Sequence, residues 1–385
     1  MKCGKKCLLV EISLFFIMVF YTFNESKVLP NSINWLLLTG LMFGVGKLAL
    51  SIRLVPLSNK QVWADLILLM FSVLLMVRFL FIGRDTRLIV AFITMLVVMD
   101  QEPEKIVRVL FFAKLLPFIL IVLLGGYGHI NGVALHGGMV ILLFICMKGK
   151  KINGKNFIVL LAAFSWLVMY TQSGSAIMGI GTAVLSLILL GTRRGKRLFS
   201  SKFVMFIFPL ALWFNVFFAV GLEEGKVPWV GEYLPGFLNS VFFQIVKWID
   251  DFTSHRLTLA AASFQKFGVS IWGGNVDYTQ IWPGVYFNLD SGMIWLLQGW
   301  GLIICVIFLI LSVVMMYYLI KTERYTFVVV AVAIALWATQ EDMLTSIGTN
   351  FMMIFMGQAV QYSMVGRRVK DGNTENNSLL LVWRK

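Results

Sequence analysis

Residues 291–320 read SGMIWLLQGWGLIICVIFLILSVVMMYYLI, a run of thirty residues that contains no charged side chain. A helix needs about 20 predominantly apolar residues to cross the hydrocarbon core of a bilayer. This run is longer than that, so we expect a membrane span that begins outside the hydrocarbon. The stretch predicts an α-helical membrane protein.

The rest of the chain has the composition of such a protein. Of its 385 residues, 59% are hydrophobic and 14% are charged. Soluble globular proteins have about 45–50% apolar and about 25% charged residues. This composition excludes a disordered chain, a coiled coil and an ordinary soluble enzyme. We therefore predict an all-α, polytopic integral membrane protein.

Apolar runs predict about 12 transmembrane helices. Most connections between them are short, but the one between the ninth and the tenth is long. The predicted organisation is helices one to nine in 1–221, a large outer loop in 222–290, helices ten to twelve in 291–366 and a cytosolic tail in 367–385. The expected spans are 8–23, 33–52, 62–83, 88–100, 106–124, 133–147, 156–172, 175–191, 203–221, 291–320, 326–340 and 347–364.

The positions of lysine and arginine predict the orientation in the membrane. With the N-terminus in the cytosol, the cytosolic segments hold 23 of the 33 Lys and Arg residues and the outer segments hold 7. Cytoplasmic loops of membrane proteins carry such an excess. The bias predicts that both termini are cytosolic. It also accounts for the net charge of +14 without a nucleic-acid partner.

The large outer loop, 222–290, is expected to fold. It is rich in Trp, Phe and Pro rather than in the residues typical of disorder. Its segments 238–249 and 253–267 both have the apolar spacing of amphipathic helices. Thr253 or Ser254 is the predicted N-cap of the second helix. The loop is therefore predicted to form a small cap on the outer membrane surface.

Four arginines are expected on the outer side, against the charge bias, so each needs a reason. They are Arg78, Arg84, Arg87 and Arg256. The planar guanidinium matches phosphate oxygens with two hydrogen bonds, so a cluster of arginines could hold a lipid pyrophosphate. The alternatives are structural. Two of the arginines flank Asp85 and could pair with it, and Arg256 could pair with Asp250 or Asp251.

Carboxylates and histidines on the outer side are candidate general bases. Asp290 lies where the loop returns to the membrane, and Asp277 lies in an aromatic stretch. The other outer acids are Glu223, Glu224, Glu232, Asp250, Asp251, Glu341 and Asp342. The histidines, expected to face outward, are His129, His136 and His255. Their spacing predicts no metal site.

Charged residues inside predicted spans raise the alternative of a transporter. They are Lys47, Asp65, Arg78 and Lys114. Lys114 is the deepest, and a pair with Asp65 across helices is compatible with the sequence. An ion or proton pathway would need several more such residues, so the pattern favours an enzyme with one large outer loop.

Three segments carry a family resemblance. Residues 254–256 read SHR and precede a helix that is expected to end at Phe267-Gly268, with a glycine turn at 273–274. Residues 290–303 read DSGMIWLLQGWGLI, and residues 171–175 read TQSGS. Together they resemble the O-antigen ligase and polysaccharide polymerase (Wzy-like) superfamily. The chain departs from that pattern at two positions: Gly174 stands where many members carry arginine, and Met293, after Gly292, stands where many carry tyrosine.

The resemblance implies a GT-C-like helical membrane glycosyltransferase of the bacterial plasma membrane that needs no cofactor and no metal. Its substrates would be oligosaccharides linked to polyprenyl pyrophosphate. By position, Arg256 would bind the donor pyrophosphate, and His255 or Asp290 would be the base. Further substrate contacts are predicted at Arg78, Arg84, Arg87, Lys266 and Asp277. A flippase and a chain-length regulator are the expected protein partners, beside membrane lipid.

The predicted activity is polymerisation of the repeat units of a surface polysaccharide such as O-antigen, capsule or exopolysaccharide. Two alternatives stay open. One is a ligase that moves a finished glycan to a lipid or protein acceptor. The other is a flippase or transporter of lipid-linked oligosaccharide.

Overall fold

A computed structural model describes residues 5–24, 26–28, 33–51, 60–82, 86–127, 129–253, 255–274, 276 and 290–365. The regular structure within these ranges is helical. The α-helices are α1 Lys5–Asn24, α2 Asn34–Ser51, α3 Lys60–Phe81, α4 Arg87–Val98, α5 Pro103–Leu123, α6 Ile130–Lys148, α7 Gly154–Thr171, α8 Gly174–Leu190, α9 Arg193–Phe199, α10 Ile207–Glu224, α11 Gly236–Phe252, α12 Arg256–Phe267, α13 Gly292–Gly299, α14 Leu302–Lys321, α15 Tyr325–Trp337 and α16 Met356–Val365.

Six of the described helical segments are long and apolar enough to cross a membrane. They are Cys7–Asn24, Pro103–Leu123, Ile130–Lys148, Gly154–Thr171, Lys202–Glu224 and Leu302–Lys321. Shorter apolar helices lie between them, and large apolar side chains are exposed on α2, α3, α5 and α7. These features are compatible with a membrane-embedded protein.

The run 291–320 is two helices and not one continuous helix, and the part long and apolar enough to cross a membrane is Leu302–Lys321. The chain forms α13, breaks at Gly301, and continues as α14. Gly301 has φ +89°, and a Cβ there would overlap the main chain at Trp272 and Gly273. The amide nitrogens of Leu302 and Ile303 donate to main-chain oxygens of the outer loop at 3.0 and 3.2 Å. The break is therefore made by tertiary contact.

Between α15 and α16 the backbone is irregular but buried. The predicted spans 326–340 and 347–364 are shortened here, because α15 ends at Trp337 and residues 351–355 form a 3₁₀-helix before α16. Buried main-chain groups need internal partners. Thr349 donates to the carbonyl of Met343, and Asn350 donates to the carbonyl of Leu344, each at 3.0 Å.

Trp337 fixes the start of this irregular segment. It is fully buried against Gly138 of α6 and Gly179 of α8, where an added Cβ would overlap the indole. Because both neighbours lack a side chain, α15 packs closely against α8. The residues that follow Trp337 are thereby brought to the first turn of α8.

The long connection 222–290, predicted to be an outer loop, contains α11 and α12 close to the positions predicted. Gly268 ends α12 with φ +62°, as expected, but the predicted N-cap is wrong. The Asp250 carboxylate at the end of α11 accepts hydrogen bonds from the amide nitrogens of Leu257 and Thr258, at 2.8 and 3.0 Å. The Thr253 hydroxyl instead donates to the carbonyl of Ile249 in its own helix.

One face of α11 is apolar and exposed. Its side chains are Phe237, Val241, Ile245, Trp248 and Phe252. Their spacing of three and four residues places them on one side of the helix. That the loop forms a cap on the membrane surface stays a prediction.

Candidate functional site

Arg256, the first residue of α12, lies between two carboxylates from distant parts of the chain. Its Nη2 atom is 3.3 Å from Asp290 Oδ2 and 3.3 Å from Glu341 Oε1. Its side chain is 13% exposed, and among the described residues its buried Nη1 atom has no hydrogen-bond partner. The alternative pairing of Arg256 with Asp250 or Asp251 is not what the structure contains.

Three helices begin around this cluster. Arg256 opens α12, and Asp290 stands one residue before Ser291, whose hydroxyl caps α13. Ser175 in the first turn of α8 donates to Glu341 Oε1 at 2.5 Å. The first amide groups of these helices already bond within the chain, as when the Leu257 amide donates to Asp250 and the Gly292 amide to the Glu341 carbonyl. What helix N-termini add at such a cluster is partial positive charge, which favours anions. The site is therefore suited to hold negatively charged groups.

Main-chain contacts fix the two carboxylates relative to each other. The amide nitrogen of Gly292 donates to the carbonyl of Glu341 at 3.0 Å, and a Cβ on Gly292 would lie 2.8 Å from that oxygen. Asn215 of α10 donates to the Ser291 hydroxyl at 3.3 Å and to the Thr339 carbonyl at 2.9 Å. Glu341 is thus held against the start of α13.

Burial changes the proton affinity of Glu341. Loss of solvent raises the pKa of this carboxyl above its ordinary value, and the charge of Asp290 acts in the same direction. The Arg256 guanidinium and the Ser175 hydroxyl oppose the shift without cancelling it. A carboxylate with a raised pKa is a stronger base than an ordinary one, and this suits it to accept a proton.

Arg87 lies beside the same segment. Its Nη1 atom is 2.9 Å from Asp342 Oδ2, and its guanidinium lies 5.8 Å from the centre of the Trp295 ring. Arg87, a predicted substrate contact, thus pairs with Asp342, the residue that follows Glu341 in the sequence. Arg84, Asp85, Asp277 and Ser254 lie outside the described residues.

Arg78 has structural contacts that the sequence did not predict. Its Nε atom donates to the Trp272 carbonyl at 3.3 Å, its Nη2 atom donates to the Gly299 carbonyl, and the guanidinium stacks on Trp300 at 4.2 Å. Gly273 and Gly301 meet at the same place. We call residues 270–274 together with 298–303 the glycine junction. Arg78 joins α3 to this junction, and its role in substrate binding stays a prediction.

Replacing Arg78 with lysine is expected to destabilise the protein by about 2–4 kcal/mol, because a buried carbonyl loses its partner and the ring loses its stacked cation. Thermal unfolding of the purified protein in detergent measures this as a lower Tm. Arg193→Lys, at an exposed position of α9, is the control. An unchanged Tm for Arg78→Lys would contradict the structural role.

The remaining predicted site residues do not join the cluster. His255 is 66% exposed and faces Asp250 and Asp251 at 3.4 and 3.6 Å. Lys266 is exposed in the last turn of α12, which at 1.5 Å per residue is roughly 15 Å from the first. Their roles in catalysis and binding stay predictions.

His136 was expected to face outward, but the structure buries it. His136 is fully buried in α6, where its Nδ1 atom lies 2.8 Å from Lys114 Nζ. Lys114 also donates to the carbonyl of Gly348 at 2.6 Å. His136 therefore does not face outward. The side chain of Asp65 is outside the described part of the structure.

Sequence reasoning did not single out Glu341, although it was among the outer acids. Ser175 stood in the TQSGS segment without a role. No signal in one sequence places residues 175, 256, 290 and 341 together, because their contact depends on how Trp337 and Gly292 pack. Comparisons with protein-family models, with curated proteins and with solved structures found no match to this chain.

Proposed function

We propose that this protein is a membrane glycosyltransferase that polymerises the repeat units of a surface polysaccharide. It transfers the growing glycan from polyprenyl pyrophosphate to a new lipid-linked repeat unit at the outer face of the bacterial plasma membrane. The observation that carries the proposal is the position of Arg256, between two carboxylates at the start of three helices. A leaving pyrophosphate needs positive charge in place, and an acceptor hydroxyl needs a nearby base.

In this reaction Arg256 binds the donor pyrophosphate and stabilises it as it leaves. The N-termini of α8 and α13 add partial positive charge around it, whereas the start of α12 is already capped by the Asp250 carboxylate. Of the two bases expected from the sequence, Asp290 is the better supported, since its Oδ2 atom lies 3.3 Å from Arg256 Nη2. His255 faces away, toward the acids at the end of α11.

The proposal includes the membrane arrangement expected from the sequence. About 12 spans place both termini in the cytosol and the cap formed by α11 and α12 outside. Lipid-linked substrates reach the site from the bilayer, supplied by a flippase, and a chain-length regulator acts on the product. The chemistry uses no cofactor.

The test compares the glycan ladder of a strain in which this gene is deleted with that of a strain producing Arg256→Ala at a matched protein level. We expect single repeat units in both strains. A normal ladder in the deletion strain would refute the function. Polymer that accumulates on its lipid carrier would indicate a ligase, and loss of outward-facing lipid-linked units would indicate a transporter.

Asp290→Asn is expected to reduce turnover by about tenfold or more without loss of protein, because the acceptor hydroxyl loses a candidate base and Arg256 loses one of its two charged contacts. The rate of polymer formation and the amount of protein in membranes measure the two quantities. Glu224→Gln, at an exposed position in the same loop, is the control. Chains of normal length and rate in Asp290→Asn would exclude a catalytic role for Asp290.

A further inference from the structure

The cation of Arg256 is already neutralised by carboxylates. Glu341 Oε1 and Asp290 Oδ2 lie at the same distance, 3.3 Å, from its Nη2 atom. An anionic donor that binds Arg256 must compete with these acids, because like charges at hydrogen-bonding distance repel strongly. One of the two carboxylates must therefore leave Arg256 when the donor binds.

We propose that Glu341 occupies Arg256 as a substitute for the donor pyrophosphate and, once displaced, takes the proton of the acceptor hydroxyl. The inference rests on the proposed function and assigns its base. It replaces Asp290 and His255 in that role and makes Asp290 the acid that keeps Arg256 in position.

The surroundings of the three candidates favour Glu341. Its side chain is 11% exposed, against 32% for Asp290 and 66% for His255. Desolvated groups interact more strongly with charge and transfer protons without competing water. Glu341 also has a second partner, Ser175, which would hold the carboxylate at the site after Arg256 has turned to the pyrophosphate.

The chemical step balances with these groups alone. The acceptor oxygen forms a bond to the anomeric carbon while the bond from that carbon to the pyrophosphate oxygen breaks. The leaving electron pair stays on the pyrophosphate, which remains bound to Arg256. The proton of the acceptor hydroxyl passes to Glu341, which later releases it to water.

The pH dependence follows from the environment of Glu341. The charged described groups around it are Arg256 and Asp290, with the pair of Asp342 and Arg87 one residue further along. Burial raises the pKa of Glu341, so its active carboxylate forms at a higher pH than that of an ordinary glutamate. The polymerisation rate is expected to rise with pH through this raised pKa.

Two measurements on purified, full-length protein test the proposal. The first is the rate of polymer formation in liposomes from lipid-linked repeat units extracted from the deletion strain. The second is the affinity for inorganic pyrophosphate by calorimetry. We expect Glu341→Gln to lower the rate by about 100-fold or more and to tighten pyrophosphate binding by about tenfold, as a competing charge is removed. Glu341→Asp should retain part of the rate.

Glu232→Gln is the matched control, since Glu232 is an exposed loop carboxylate that pairs with Lys226 at 3.0 Å. The proposal is overturned if Glu341→Gln keeps the wild-type rate, if it keeps the rising limb of the pH profile, or if it loses pyrophosphate affinity together with the rate. Failure of the proposed function looks different, because the wild-type protein would then form no polymer from the extracted units.

Discussion

Replacing Arg256 with lysine is expected to reduce polymer formation by at least about 100-fold at an unchanged protein level. The guanidinium meets two carboxylates through one nitrogen and keeps a second nitrogen buried. A lysine ammonium is a single point charge and cannot present two nitrogens in one plane to a pyrophosphate. The glycan ladder and the rate in liposomes measure the effect.

Arg324→Lys is the matched control for this change. Arg324 pairs with Glu104 at 3.0 Å and immediately precedes α15. It is therefore an ion-paired arginine at the opposite end of α15 from Glu341. We expect it to leave the ladder unchanged. Full activity of well-expressed Arg256→Lys would remove Arg256 from the donor site, and with it the observation on which the proposed function depends.

Replacing Gly301 with alanine is expected to cost roughly 3 kcal/mol of stability or more. A side chain at φ +89° is strained, and its Cβ would have to displace the main chain of residues 272 and 273. The glycine junction would open, and the first turn of α14 would lose the hydrogen bonds of Leu302 and Ile303. A lower Tm of the purified protein measures this.

Gly46→Ala is the control for the glycine substitution. Gly46 lies in α2 with an ordinary φ and open space around its Cα, so alanine is expected to be neutral or slightly stabilising there. If Gly301→Ala unfolds at the wild-type temperature, the break between α13 and α14 does not depend on the glycine junction.

The sequence predicted most helices because long apolar runs have few alternatives in a membrane. It failed where tertiary contacts override the local pattern. Nothing in the uncharged run 291–320 marks Gly301 as a break, since the cause is a segment about thirty residues earlier in the chain. In the same way, Asp250 caps α12 from the preceding helix, in place of Thr253.

For the candidate site, residue chemistry was easier to predict than residue contacts. An arginine on the predicted outer side is unusual enough to be noticed, so Arg256 was one of four arginines named from the sequence, and the family resemblance singled it out. Glu341 could not be ranked above the other outer acids, because its burial and its contact with Ser175 depend on the packing of α15 against α8. His136 was misjudged because its burial beside Lys114 of α5 is a contact between helices that one sequence does not show.

The glycine junction also limits how the outer loop can move. The segment that carries α11 and α12 follows α10 at one end and reaches the glycine junction at the other. There Arg78 of α3 donates hydrogen bonds to the carbonyls of Trp272 and Gly299. A rigid rotation of both helices away from the bundle would break the junction's hydrogen bonds and the stacking on Trp300 together. Such an opening is costly and therefore rarely populated. Rearrangements within the segment, which leave both attachments intact, avoid this cost.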